Sequence, residues 1–386
     1  MIRLLQRKVS LLILGSLAVL VLGAACGDDD GEDRPGTVDV IGGSGSVSAS
    51  VSGVSGSAST SGVSGPVKAA DPSGAIGGYQ PASDVAQHAR VSLDVAEING
   101  LLGASPIDFA AVKKVYLEGG NSTKSSGNRT IAGAARAERS EPIWDDFVDY
   151  YGDKNWLDTF VMSALDGTGA FAGESDGVRK QGVQKGIQNQ IMIAWALHEV
   201  VAAQAKVADG NIDPAKGAPH NWDEWWAFYH GVEPKGAPFA TADKRGGNFG
   251  TGSAVNDALL VASQDGLQAT IDGDAAALQV AADEIVRQIT VTYIQATIRY
   301  ANKVDSDLAS GDAEKARVHQ AEGWAFFRVI EPWVAAVDAS AAEQITSRYD
   351  LAAGPPMAGS GAAVQAAIES TYAGLGVNAA EVGTLQ

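Results

Sequence analysis

The chain has 386 residues, a net charge of −18 at pH 7 and a single cysteine. That charge excludes a basic face for nucleic-acid phosphates, and it serves solubility as well as cation attraction. One cysteine excludes intramolecular disulfides, thiolate zinc centres and iron–sulfur clusters, so any metal must be held by carboxylate, imidazole, phenolate or amide groups.

Residues 1–25 read as an export signal. Arg3, Arg7 and Lys8 precede an apolar run from Leu11 to Leu22, and Gly23-Ala24-Ala25 stand before Cys26. The run is too short and too early for a structural span. A cysteine after small residues resembles a bacterial lipoprotein signal, with Leu22 one place upstream of the usual position. The expectation is that Cys26 is lipidated and becomes the mature N-terminus, facing the periplasm or the cell exterior. Residues 26–82 begin with an acidic cluster and continue as a Ser/Gly/Val/Ala tract with little to bury, which predicts a flexible tether.

From 83 onward the apolar period is helical. Helices are expected over 83–101, 107–118, 141–151, 155–165, 178–207, 253–271, 276–304, 313–331, 341–351 and 361–375, with 121–139 as a polar loop. No stretch alternates convincingly with period two. The fold class expected is all-α, a large multi-helix bundle over 83–386.

Within it one phrase occurs twice. HNWDEWWAFYHGVEP (220–234) returns as HQAEGWAFFRVIEP (319–332), aligning Glu224 with Glu322 and Trp226-Ala227-Phe228 with Trp324-Ala325-Phe326. Each copy follows a long helical segment ending in Lys-Val, so the chain reads as an internal duplication of a helix–loop–helix unit over about 178–234 and 276–332.

The candidate chemistry lies on these helices. His319, Glu322, Phe326 and Val329 share one helix face, and Glu224 precedes Phe228 by one turn. A carboxylate on an apolar stripe costs several kcal/mol unless a cation or several donors meet it. Glu and His one turn apart on facing helices is how iron carboxylate bundles make their sites. The candidate metal ligands are therefore Glu322, His319, Glu224 and His220, with His198 and Glu199 as a second cluster on the preceding helix. Since Gln295 takes the place of His198 in the other copy, one asymmetric site between the halves is expected.

Structural readings compete with these. Asn221 and Glu224 fit a capping box, Glu322 can pair with a nearby arginine or lysine, and Glu233 and Glu331 sit before prolines at helix ends. Tyr293 and Tyr300 offer phenolates but also suit a core. Familiar catalytic patterns are absent: no HExxH, G-x-S-x-G, Walker loop or GxGxxG, and nothing sets a nucleophile beside a base.

The paired phrases HNWDEWWAFY and AEGWAFFRVIEP, with YLEGGNS at 116–122, resemble the family of low-iron-inducible periplasmic proteins, also called Fe-assimilating proteins. The resemblance covers 83 to the C-terminus and implies a secreted or surface protein that helps to acquire iron. The reading is an envelope-anchored iron-binding protein whose partners are a metal ion, the membrane through its N-terminal lipid, and an envelope iron transporter. Two alternatives remain. One is a module that binds an organic ligand through an aromatic wall of Trp222, Trp225, Tyr229 and Trp333. The other is an extracytoplasmic metal-dependent enzyme with an open coordination position.

Overall fold

Aspartate and glycine punctuate the helices. Gly273 and Gly311 each end a helix in the left-handed conformation (φ 68° and 82°), where a side chain would be strained. The next residue, Asp274 or Asp312, then caps the following helix with its carboxylate. Two Gly-Asp dipeptides thus frame the longest helix, Ala275–Ser310.

The computed structural model describes residues 74–386. The export signal, Cys26 and most of the expected tether lie outside that span. In chain order the helices are α1 (Ala86–Ala89), α2 (Val91–Leu101), α3 (Phe109–Glu118), α4 (Ile131–Ala135), α5 (Pro142–Tyr151) and α6 (Trp156–Asp166). Then come α7 (Asp176–Lys185), a π-helical segment (Gly186–Ile191), α8 (Met192–Ala208), α9 (Ala218–His230), α10 (Pro238–Phe249), α11 (Ala254–Asp272) and α12 (Ala275–Ser310). The C-terminal part holds α13 (Ala313–Phe327), α14 (Glu331–Val337), α15 (Ala339–Tyr349), α16 (Ser360–Glu369), α17 (Tyr372–Leu375) and α18 (Ala379–Val382). The fold is all-α, with a single hairpin of two-residue strands, Thr123–Lys124 (β1) and Gly127–Asn128 (β2), among the described residues.

Each signature segment forms a helix packed on the long helix before it, α9 on α8 and α13 on α12. Their aromatic residues are core, and on α9 the polar tips are satisfied. Trp222 Nε1 donates to the Ser263 carbonyl (2.7 Å), Trp225 Nε1 to Ser263 Oγ (2.9 Å) and Trp226 Nε1 to the Ile76 carbonyl (2.7 Å). The Tyr229 hydroxyl donates to Asn256 Oδ1 at 2.6 Å. An indole buried with its N–H paired keeps its full apolar contribution. The wall of Trp222, Trp225, Tyr229 and Trp333 expected as a ligand platform is therefore interior, since all four are buried.

The π segment ties several elements of the bundle together. Three successive amides, Gln188, Asn189 and Gln190, are buried there. Gln188 Nε2 donates to the Lys235 and Ala237 carbonyls, and Gln190 Nε2 to the Ala325 carbonyl. Asn189 Oδ1 accepts from Thr241 Oγ1 (2.8 Å) and the Tyr293 hydroxyl (2.9 Å). Tyr293 is thus accounted for as a donor within the core. The helix running from Asp176 to Ala208 is long and apolar enough to cross a membrane, yet half of its apolar window is buried inside the bundle.

Three local expectations need correction. The loop over 121–139 contains the β1–β2 hairpin and α4, whose first turn is capped by Thr130 Oγ1. The helix expected to run to Pro332 stops at Phe327, and Pro332 instead opens α14, where a missing N–H costs nothing. Helix α10 was not legible at all, because Gly246-Gly247 dilute its pattern. Packing supplies what propensity lacks, since a Cβ on Gly246 would lie 1.9 Å from the Gly252 carbonyl oxygen.

Gly266 on α11 gives a test of this packing. A Cβ there would meet Trp222 Cζ2 at 1.9 Å. Gly266→Ala should destabilise the fold by about 1–3 kcal/mol and alter tryptophan fluorescence. Gly100→Ala, with nothing within 4 Å of its Cβ, should be neutral or slightly stabilising. Urea unfolding of the two variants provides the comparison.

Candidate metal centre

The centre is assembled from α1, α8 and α9. His220 and Glu224 stand one turn apart on α9, and α1 lays His88 against them. Nε2 of His220 lies 2.9 Å from Glu224 Oε1, and Nε2 of His88 lies 3.0 Å from the same oxygen. Ligand atoms of the three residues fall within 4.8 Å of one another. Two donors about 2.1 Å from an ion and at right angles to each other are about 3.0 Å apart, so these spacings suit adjacent positions around a transition metal. Glu199 on α8 stands beside Glu224, fixed by Asn221 Nδ2 donating to its Oε2 at 2.5 Å.

The hydrogen bonds around the cluster turn Nε2 of both imidazoles toward Glu224. Ser83 has one hydroxyl proton and gives it to Asp223 Oδ2 (2.7 Å), so Ser83 Oγ accepts from His220 Nδ1 at 2.8 Å. Asp223 also accepts from the Tyr79 hydroxyl (2.6 Å) and the Ser83 N–H (2.7 Å). With Nδ1 held as donor, His220 leaves Nε2 to face Glu224, where it gives a proton to the carboxylate or, once that proton is lost, a lone pair to a cation. His88 Nε2 accepts from Arg129 Nη2, and its Nδ1 has no hydrogen-bond partner among the described residues. Phe228 meets the His88 ring edge-on and stacks on Trp195, sheltering this side of the cluster.

Burial sets the charges. It lowers the His88 pKa to about 4, helped by Arg129 and His220 against the opposing pull of Glu224, so the ring is neutral near pH 7. Burial, then the charge of Glu224, holds the Glu199 carboxyl well above the usual carboxylate range. Burial also works to raise Glu224, but the His220 hydrogen bond helps to overcome it, and its pKa is lowered.

The remaining candidates have other partners. Glu322 is buried against Lys185 Nζ at 3.0 Å, and although burial would raise its pKa, Lys185 and the Tyr300 hydroxyl bring it below the usual value. His319 Nδ1 pairs with Asp307 Oδ2 at 2.5 Å. His198 pairs with Glu141. Glu331 accepts from Tyr150, Tyr151 and Thr346, while Glu233 caps the 3-10 turn at Pro234–Gly236. The structure therefore brings together His220, Glu224 and Glu199, and sets Glu322, His319 and His198 in different surroundings. Helix α9 already begins at Ala218, which places Asn221 inside the helix and removes the capping-box reading of Glu224.

Sequence reasoning missed His88, Arg129 and Lys185. The chain has five histidines, and His88 lies in QHAR within a stretch already read as helical. That count was the signal that could have found it. Nothing local marks Arg129 or Lys185.

Fold and cluster together define a helical-bundle protein with an interior imidazole–carboxylate centre. The chain belongs to the family of low iron-inducible periplasmic proteins, Fea1, whose model matches residues 55–386. That membership places it among extracytoplasmic proteins associated with iron limitation. No curated protein and no solved structure matches it.

Two measurements check the electrostatics. His88 goes from 6.5 unfolded to about 4 folded, so its contribution is complete above pH 6.5 and is lost as pH falls toward 4. With a chelator present, urea unfolding should show a loss of up to about 3 kcal/mol across that window, reduced in His88→Asn. Lys185→Met strands the Glu322 carboxylate and should cost about 3–5 kcal/mol, with Lys185→Met/Glu322→Gln recovering most of it.

Proposed function

We propose that the protein binds iron outside the cytoplasm and serves its capture and delivery, with His88, His220 and Glu224 as ligands and Glu199 as a reserve carboxylate beside them. One observation carries the reading: a single carboxylate oxygen is approached by Nε2 of two imidazoles at 2.9 and 3.0 Å. Once His220 Nε2 gives up its proton, two imidazole nitrogens and a carboxylate face one another as three acceptors, and a cation is the chemical species that reconciles them. Two imidazoles and a carboxylate suit ferrous iron and other divalent transition ions. His220, the most exposed of the three, gives the centre a side open to solvent. Membership of an iron-responsive family makes iron the biological cargo that fits this donor set best.

Lipidation at Cys26 would keep the bundle near the membrane on its Gly/Ser tether, where an iron transporter can take the ion. The acidic chain, at −18, would enrich cations around it.

Protein purified without chelators should carry iron, and anaerobic Fe²⁺ titration of stripped protein should give one equivalent bound. His220→Ala and Glu224→Ala should each weaken binding at least about tenfold, while His319→Ala leaves it unchanged. Absence of any metal binding, or binding indifferent to both ligand substitutions, would overturn this reading.

A further inference from the structure

Arg129 extends from the end of the β1–β2 hairpin and sets Nη2 against Nε2 of His88. That nitrogen also faces Glu224 Oε1 at 3.0 Å. An imidazole nitrogen carries either a proton or a lone pair, so it cannot accept from Arg129 and donate to Glu224 at once. A guanidinium keeps its protons, which makes His88 Nε2 the acceptor. The lone pair that a metal needs is therefore already taken by a positive charge belonging to the protein. Glu224 and Glu199 both act electrostatically on that guanidinium, so Arg129 also supplies counter-charge to the buried acids.

We propose that Arg129 is an internal counter-ion that takes the metal's place at His88 and is exchanged for the incoming divalent cation. This rests on the metal-binding reading of the cluster. The surroundings of Arg129 make exchange inexpensive. Residues 123–128 are all exposed, so moving the side chain opens no core. Its Nη1 also donates to the Thr123 carbonyl at 2.6 Å, a contact on the hairpin itself. The hairpin stays docked meanwhile, because Thr123 donates its N–H and hydroxyl to Gln87 Oε1 (3.1 and 3.0 Å) and Ser122 Oγ donates to the Gln87 carbonyl (2.5 Å). Gln87 is the neighbour of His88, so the imidazole keeps its position while the guanidinium leaves.

Exchange also selects by charge. A sodium or potassium ion brings no more charge than the guanidinium it displaces and has little affinity for imidazole nitrogen. A divalent transition ion brings twice the charge and bonds to both rings. Arg129 thereby excludes the abundant monovalent ions from a site lined by acids.

The test is anaerobic Fe²⁺ titration of the full exported chain as wild type, Arg129→Gln and Arg129→Lys, with folding checked by circular dichroism. Arg129→Gln should bind Fe²⁺ about tenfold more tightly, and Arg129→Lys should stay near wild type. Damage to the fold weakens binding, so a gain is a result that a structural role does not produce. Folded Arg129→Gln that binds as wild type does, or more weakly, overturns the exchange while leaving the metal site standing. Binding seen only in Arg129→Gln supports the exchange. Failure of wild type and Arg129→Gln alike to bind Fe²⁺ overturns the metal reading itself.

Discussion

A carboxylate inside a helix bundle has to be answered by positive charge or by several donors, because solvation lost on burial is worth several kcal/mol. This constraint shapes both signature helices. On α13 the answer is permanent: Lys185 reaches Glu322 from α7, and Tyr300 adds its hydroxyl. On α9 the answer is composite: two imidazoles, one held neutral by burial, and a guanidinium from a surface hairpin. Equivalent acids in the aligned phrases thus have different fates according to what the neighbouring helix brings.

The bundle can hold such groups because its polar interior is satisfied elsewhere. The π segment presents three consecutive amides inward, and each finds partners on a different element. In a regular helix, successive side chains are about 100° apart, so widening the turn helps three neighbours to face the interior together. Buried amide networks of this kind favour one arrangement of helices over others, since any shift leaves several groups unpaired. That rigidity holds α8 and Glu199 in register with α9, where Asn221 clasps the carboxylate.

Most helices were legible because their boundaries are written in local chemistry. Asp108, Asp274, Asp312 and Asp338 each cap a helix through the side chain, and the apolar period between boundaries is sustained. Legibility failed where tertiary packing outweighs propensity, as in α10 with its paired glycines, or where a proline opens the next helix instead of closing the last. Of the candidate site, the part on α8 and α9 could be read, because His220, Glu224 and Glu199 lie near one another in sequence or on an apolar stripe. His88 and Arg129 could not, since their meeting with Glu224 is made by the packing of α1 and a hairpin more than ninety positions away.

That division has a physical meaning. A lysine on the adjacent helix, tied by its own backbone to the bundle, neutralises Glu322 for as long as the protein is folded, and an acid so matched has no further demand for a cation. Imidazoles behave differently: each can exchange its proton for a lone pair, and in the neutral form it offers that lone pair to an ion without cancelling the charge of Glu224. The guanidinium that does cancel it arrives on an exposed hairpin and touches the cluster through a single nitrogen. A charge held firmly makes structure, whereas one held at the edge of the fold by a replaceable partner leaves room for an ion to come and go. Of the two signature helices, α9 has the arrangement suited to an exchangeable ion and α13 the one suited to stability.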